Sequence, residues 1–239
     1  MGKIQASFVS SIVTSAMVSC VFLTTPALAA PLVADKTSPP EAVLSPYVLS
    51  QAQIDILDTD MPVVDIWEGA KKRSIVEVFG AIDIDASPAQ IWEIMTNCDT
   101  QLQIVKNMTK CIVKKEDKAA GWDVRVQVLN IGRFLPRVRS KFKSEYTPHR
   151  EIKVTRTGGD LSVLDGLWTL TPTHDGQTRV TYRARLKPKL PVPRKLMQKT
   201  TAEDMPKVLK NLRALAESSN QTIAVENAAI DTNHVQKMP

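Results

Sequence analysis

The segment Arg137 to Tyr146 carries the cleanest two-residue alternation in the chain. Val138, Ser140, Phe142, Ser144 and Tyr146 alternate with Arg137, Arg139, Lys141, Lys143 and Glu145. Successive side chains of a strand point to opposite faces, so this pattern predicts a strand with one inward face and one solvated, strongly basic face. A sheet that tolerates water on one side is antiparallel, because parallel sheets are covered on both. Neighbouring segments follow the same rule. A strand opens at Cys111-Ile112-Val113 and ends in the polar turn from Lys115 to Gly121. Trp122, Val124, Val126 and Val128 share one face of the next strand, and the loop Asn130 to Pro136 follows. After the turn at Pro148-His149-Arg150 comes a strand from Ile152 to Arg156, then the turn Gly158-Gly159-Asp160. Gly166 to Thr173 and Thr178 to Leu186 flank Asp175-Gly176, a good hairpin signal.

Upstream, Ser50 and Gln53 form a capping box for a short helix to Leu57. Met61 to Trp67 and Ser74 to Asp85 read as strands joined by a four- to five-residue loop. Ser87-Pro88-Ala89-Gln90 then supplies a helix start, with Pro88 at the first helical position. Ile91, Ile94, Met95 and Cys98 recur at helical spacing, and Asp99 caps a second short segment containing Leu102, Ile104 and Val105. At the other end, Leu190-Pro191-Val192-Pro193 stops the strands. A helical pattern runs from there to about Ala216, and Pro206 predicts a kink or break near Ala202 to Met205. Beyond Ser218 the chain is polar and predicts disorder.

The first 29 residues hold Lys3, an apolar run from Phe8 to Leu23, and Ala27-Leu28-Ala29. This is the layout of a secretory signal peptide cleaved after Ala29. A lipid anchor at Cys20 and an uncleaved anchor helix are the competing readings. Residues 30–50 carry four prolines among small and polar residues and read as a disordered linker. Cleavage removes only Lys3 from the 31 Lys+Arg, leaving a mildly basic chain against 25 Asp+Glu. In an exported protein that balance favours anionic membrane surfaces over nucleic acid. Cys98 and Cys111 remain after cleavage. In an oxidising compartment they pair; otherwise they are two buried thiols.

No catalytic constellation emerges. His149 and His174 fall in turns and His234 in the tail, so no metal site and no cofactor are expected. Asp160, Asp165 and Asp175 sit beside glycines, where Asp stabilises turns. Asp83 and Asp85 alternate with core positions and point out of the sheet.

Three stretches carry a family likeness: IDIDASPAQIWEIMTNCD (82–99), GLWTLTP (166–172) and the terminal amphipathic helix (194–216). Over roughly Ser74 to Ala216 the chain resembles the START-like helix-grip (SRPBCC) superfamily, in its polyketide cyclase and coenzyme-Q-binding branch. The resemblance implies an α+β fold. A curved antiparallel sheet of about six to seven strands grips a long C-terminal helix, with two short helices after the first core strand. The implied division is a signal peptide (1–29), a linker (30–50), a helix and strand packing on the domain (51–73), a START-like domain (74–217) and a disordered tail (218–239). Where relatives commonly have Tyr or Asp after the first helix this chain has Cys98, which suits an exported branch.

The resemblance also implies a hydrophobic tunnel between sheet and helix. Its expected lining from the sheet is Val126, Phe142, Tyr146, Trp168, Leu170 and Tyr182, with Ser140 and Ser144 as polar groups. Met197, Met205 and Leu209 would line it from the helix. A loop with apolar tips and cationic flanks (Arg133, Phe134, Leu135, Arg137) is the expected membrane contact or, alternatively, a lid. The leading expectation is a periplasmic or secreted carrier of a lipid, isoprenoid or quinone-like molecule. A cyclase- or aromatase-like enzyme using the same pocket, and an interaction module using the basic sheet face, are the alternatives. The sequence leaves the oligomeric state open.

Overall fold

The computed structural model describes residues 47–68, 75–131, 136–189 and 192–235. The expected signal peptide, Cys20, most of the linker, and Arg133, Phe134 and Leu135 lie outside the described residues. The elements run α1 (Gln51–Leu57), β1 (Val63–Glu68), β2 (Val76–Ile84), α2 (Pro88–Thr96) and α3 (Cys98–Ile104). Then come β3 (Met108–Asp117), β4 (Trp122–Leu129), β5 (Val138–Thr147), β6 (Glu151–Gly159), β7 (Leu161–Pro172), β8 (Thr178–Pro188) and α4 (Arg194–Val235). The strands form one antiparallel sheet in the order β1-β2-β8-β7-β6-β5-β4-β3. It has eight strands because the N-terminal hairpin contributes β1 as an edge strand.

Helix starts follow the expected chemistry. Ser50 with Gln53, and Ser87 with Gln90, each close a reciprocal capping box. Asn97 caps α3 through its side chain, in the role assigned to Asp99 by sequence. α4 packs over the inner face of β1 and β2. Val78, Ile82, Val180 and Ala184 from the sheet meet Leu209, Leu212 and Ala216 from the helix. Gly80 permits this approach: a Cβ there would lie 3.1 Å from Leu209 Cδ1 and 3.2 Å from Met205 Cε. On the opposite face, Leu57, Val63, Phe79 and Ala81 form a second cluster. Tyr47 closes it, with ring centroids 4.0 Å from Phe79. Leu49 packs against this cluster as well.

Two expectations about α4 change. The helix runs unbroken through Pro206. The bond lost is the one to the carbonyl of Ala202, an exposed residue, where the loss is least costly. The helix also continues past the predicted end near Ala216 to Val235. No Gly or Pro stands between Pro206 and Pro239 to stop it.

Cys98 and Cys111 are disulfide-bonded with Cα atoms 5.3 Å apart, joining the start of α3 to β3. Replacing both by Ala is expected to lower the unfolding free energy by about 3 kcal/mol in urea titrations. Reductant should destabilise the native protein and leave the double variant unchanged. Equal urea midpoints for the two proteins would remove the disulfide's structural role.

Candidate functional site

A cavity of about 370 Å³ lies between the inner face of the sheet and helices α3 and α4. Its walls differ in character. Val78, Trp168, Tyr182, Leu186, Met205 and Val208 make an apolar side from β2, β7, β8 and α4. Trp168 and Tyr182 stack with ring centroids 4.1 Å apart. The other side, from β4, β5 and α3, presents Arg125, Gln127, Gln101, Ser140, Ser144 and Tyr146.

Arg125 organises the polar side. Its Nε donates to Asp123 Oδ2 at 2.8 Å. Its Nη2 donates to the Thr96 carbonyl at 2.5 Å and to the Tyr146 hydroxyl at 2.8 Å. The Tyr146 hydroxyl in turn donates to Asp123 Oδ2 at 2.6 Å. Both charged side chains are about 95% buried, at 5% and 6% exposure. Asp123 Oδ1 is buried and has no hydrogen-bond partner. Burial pushes the Tyr146 phenol far above its ordinary value; the Arg125 charge opposes that rise, and the bond to Asp123 reinforces it. Burial alone pushes Tyr182 up to about 12. Both phenols stay protonated at neutral pH, able to donate a hydrogen bond but not to act as bases.

Next to this group, Gln101 bridges α2 and β4. Its Nε2 donates to the Met95 carbonyl at 2.5 Å, and its Oε1 accepts from Gln127 Nε2 at 2.6 Å. Farther along, Asn107 Nδ2 donates to Asp204 Oδ2 at 3.1 Å, and Asn211 Nδ2 to the Ile104 carbonyl at 2.8 Å. These bonds button α4 to α3 and the start of β3. At the end bounded by Ile131, Pro188 and the first turns of α4, the lining residue Leu196 is 37% exposed. The cavity reaches the surface there.

Of the expected lining residues, Ser140, Phe142, Ser144, Tyr146, Trp168, Tyr182, Met197 and Met205 border the cavity. Three do not. Leu170 and Leu209 are consumed by the core, at 3% and 0% exposure. Val126 points the other way: β4 turns Arg125, Gln127 and Leu129 toward the cavity and its valines outward. The apolar period of that strand misleads because a charged pair occupies the inward face. The usable signal was Asp123 and Arg125 two residues apart on one face, which can neutralise each other. Arg137 is exposed at the open end. Among the described residues no three His, Cys, Asp or Glu side chains come together as metal ligands would, and no nucleophile meets a base.

The sequence model of the family described as "Polyketide cyclase / dehydrase and lipid transport" matches residues 76–217. Solved structures share the fold at low identity. A STAR-related lipid transfer protein from Xanthomonas axonopodis aligns with TM-score 0.54 at 16% identity, over 65% of this chain and 93% of that one. The human StarD13 lipid transfer and protein localization domain gives 0.55 at 13%, over 65% and 84%. The Zhui aromatase/cyclase from Streptomyces sp. R1128 gives 0.52 at 12%, over 60% and 94%. A comparison with curated proteins found no match.

Two outcomes test this geometry. Arg125→Met leaves Asp123 buried without its cation and should cost about 3–5 kcal/mol. Tyr146→Phe removes one shared hydroxyl and should cost about 1–3 kcal/mol. Urea titration should rank them in that order; a neutral Arg125→Met would show that the pair carries little. The second concerns pH. The folded-state values of Tyr146 and Tyr182 lie above the unfolded value near 10. The stability they contribute is therefore complete below that value and is lost as pH rises through the folded-state values, beginning in the window from about 10 to about 12. Phenolate absorbance from all three tyrosines near their ordinary pH, with the fold intact, would contradict this.

Proposed function

The chain belongs to the polyketide cyclase / dehydrase and lipid transport family, and from that premise we propose that it binds and carries one hydrophobic molecule outside the cytoplasm. The observation that carries this reading is the cavity: mostly apolar, with a buried polar cluster on its β4–β5 side and Thr200, Thr201 and Asp204 from α4 as further polar groups. That is the form of a site that takes up an apolar body and orients it by a few polar contacts. A lipid, isoprenoid or quinone-like molecule with a single polar head fits this division. Arg125, Gln127 and Tyr146 would meet the head, while Trp168, Tyr182 and Met205 would meet the body.

Export is supported by the charged start, apolar run and Ala27-Leu28-Ala29 of the first 29 residues. The Cys98–Cys111 disulfide is compatible with an oxidising compartment. A membrane as donor or acceptor is supported by the distribution of charge. The open end carries the exposed Lys106, Arg137, Lys189, Lys195 and Lys199 around Leu196. Asp117, Glu145, Glu151 and Asp175 lie at the opposite end of the strands. Lys118 and Arg150 also lie at that end, so the case for an anionic bilayer rests on the five cations at the opening, each contributing about 1 kcal/mol near the surface.

One observation favours a second reading, an aromatase- or cyclase-like enzyme. The protonated Tyr146 lines the cavity beside Arg125, and by turning its O–H away from Asp123 it would donate to a carbonyl of a bound substrate. Loss of turnover with retained binding in Tyr146→Phe would mark that activity.

Ser140→Leu tests the carrier reading, since it fills the cavity from the inward face of β5, near the start of that strand. Native mass spectrometry of protein gently extracted from its expression host should show one hydrophobic molecule per wild-type chain. The variant should show a loss of about tenfold or more, as expected when a cavity is occupied by a side chain, with thermal stability kept. A wild-type protein that neither retains nor takes up any lipid would end the proposal.

A further inference from the structure

The face of the sheet turned away from the cavity is divided by its charges. On the β2–β8–β7 half, arginines meet carboxylates across strands. Arg179 Nε and Nη2 donate to the two oxygens of Asp83 at 2.8 and 2.7 Å, and Arg185 Nη2 donates to Asp165 Oδ2 at 2.8 Å. On the β3–β4–β5 half the register sets a different pattern. Val124 stands between Lys115 and Lys143, Val126 between Ile112 and Lys141, and Val128 between Lys110 and Arg139. Directly opposed residues of antiparallel strands share a face, so five cations flank one valine stripe. Lys143 has Glu145 as a partner at 2.9 Å. Among the described residues, Lys110, Lys115 and Lys141 have no carboxylate partner, while the backbone N–H of Arg139 donates to Asp160 Oδ2 at 2.8 Å. Lys110, Lys115 and Arg139 are exposed, and Lys141 is half-buried.

Such an array repels itself. Arg139, Lys141 and Lys143 follow one another at about 6.8 Å along β5, and β3 lies two strand spacings away, about 9.6 Å. Salt partly screens exposed charges at these spacings, and an anion set between the rows would relieve the repulsion that remains. The stripe also has a direction. At its far end Trp122 stands between Asp117 and Glu145. A hydrogen bond from Lys143 holds the Glu145 carboxyl below its ordinary range and neutralises it, which leaves Asp117 as the acid at that end.

We infer that this half-face is a docking surface for an extended polypeptide segment with carboxylates at alternate positions. An extended chain repeats every two residues at about 6.8 Å, the spacing of the cations on β5. Lying along the strands, it places its acids between the β3 and β5 rows and ends short of Trp122. A bilayer fits less well, because a uniformly anionic plane laid on this face would also press on Asp117. The cavity opens at the end of the sheet, so a segment on this face leaves the opening clear.

Fluorescence anisotropy on the full chain tests the inference with two labelled peptides of identical composition. One has four Glu alternating with four Ser; the other has the four Glu in one block. The alternating peptide should bind more tightly. Lys115→Gln with Lys141→Gln should weaken it about tenfold, as expected for two lost charge-assisted contacts. Lys195→Gln with Lys199→Gln removes the same charge from α4 and should change it less than about twofold. Phosphatidylglycerol vesicles should respond in the opposite order. Equal affinity for the two peptides, equal weakening by the two variant pairs, or no binding by the wild type would overturn the inference. A face variant that weakens vesicle binding as much as peptide binding would assign the face to lipid instead. Failure of either kind leaves the carrier reading untouched, since that rests on Ser140→Leu and the bound molecule.

Discussion

Burial of Arg125 is the constraint on which the rest of the site depends. Moving a guanidinium and a carboxylate out of water costs several kcal/mol per ion unless their remaining donors and acceptors are met. Here the meeting points belong to separate elements. Asp123 and Arg125 come from β4, Tyr146 from β5, and the Thr96 carbonyl from the last turn of α2. That carbonyl is one of the groups a helix end leaves without an internal partner. The ion pair therefore ends a helix and joins it to the sheet in one arrangement. With Gln101 on the Met95 carbonyl and Thr100 on the Ile94 carbonyl, three successive carbonyls of α2 are held by side chains. The position of α2 and α3, and so of one cavity wall, follows from satisfying them.

The opposite wall obeys a different rule. α4 approaches β2 closely only because Gly80 has no side chain, and Leu209 and Met205 occupy the space. Close contact there uses up Leu209 in packing. From Tyr182, which pairs with Gly80, the inner face continues through Trp168 to Phe142, and these large side chains line the cavity. One helix thus meets both a closed core and an open chamber. What separates them is the change from Gly80 on β2 to aromatic residues on β5, β7 and β8. Asn107–Asp204 and Asn211–Ile104 bonds keep α4 over the chamber instead of letting it settle into it.

Much of this was legible in the sequence, and the losses have physical causes. The alternation of β5 identifies both of its faces because its outward residues are charged without inward competition. In β4 the same two-residue period is present, but both faces carry groups that can be buried: valines on one, a self-neutralising Asp–Arg pair on the other. Hydropathy chooses the valines, and the structure turns Arg125 inward, which displaces Val126 from the site. Leu170 and Leu209 were assigned to the correct face. Sequence patterning distinguishes inside from outside, not filled from hollow. The continuity of α4 was missed because Pro206 was weighed as a breaker without regard to which carbonyl it orphans; Ala202 faces solvent and tolerates the loss. The cysteines gave the opposite case: pairing was one of two readings left open, and the bond is present.

The two faces of β5 let one strand serve two purposes without conflict. Ser140, Phe142 and Ser144 shape the chamber, while Arg139, Lys141 and Lys143 set the charge of the outer surface. Because the pleat sends neighbours in opposite directions, a change on either face leaves the other's contacts in place. The neutralised arginines of β8 show what this sheet does when outer charge has no further use: Asp83 and Asp165 sit one strand away and meet them directly. The corresponding positions around β4 are valines, which cannot. Valine there closes the outer surface of the strand that holds the buried pair, and leaves the cations on either side to be met by something else. The same choice of residue thus protects the polar core of the site and creates the unneutralised array outside it.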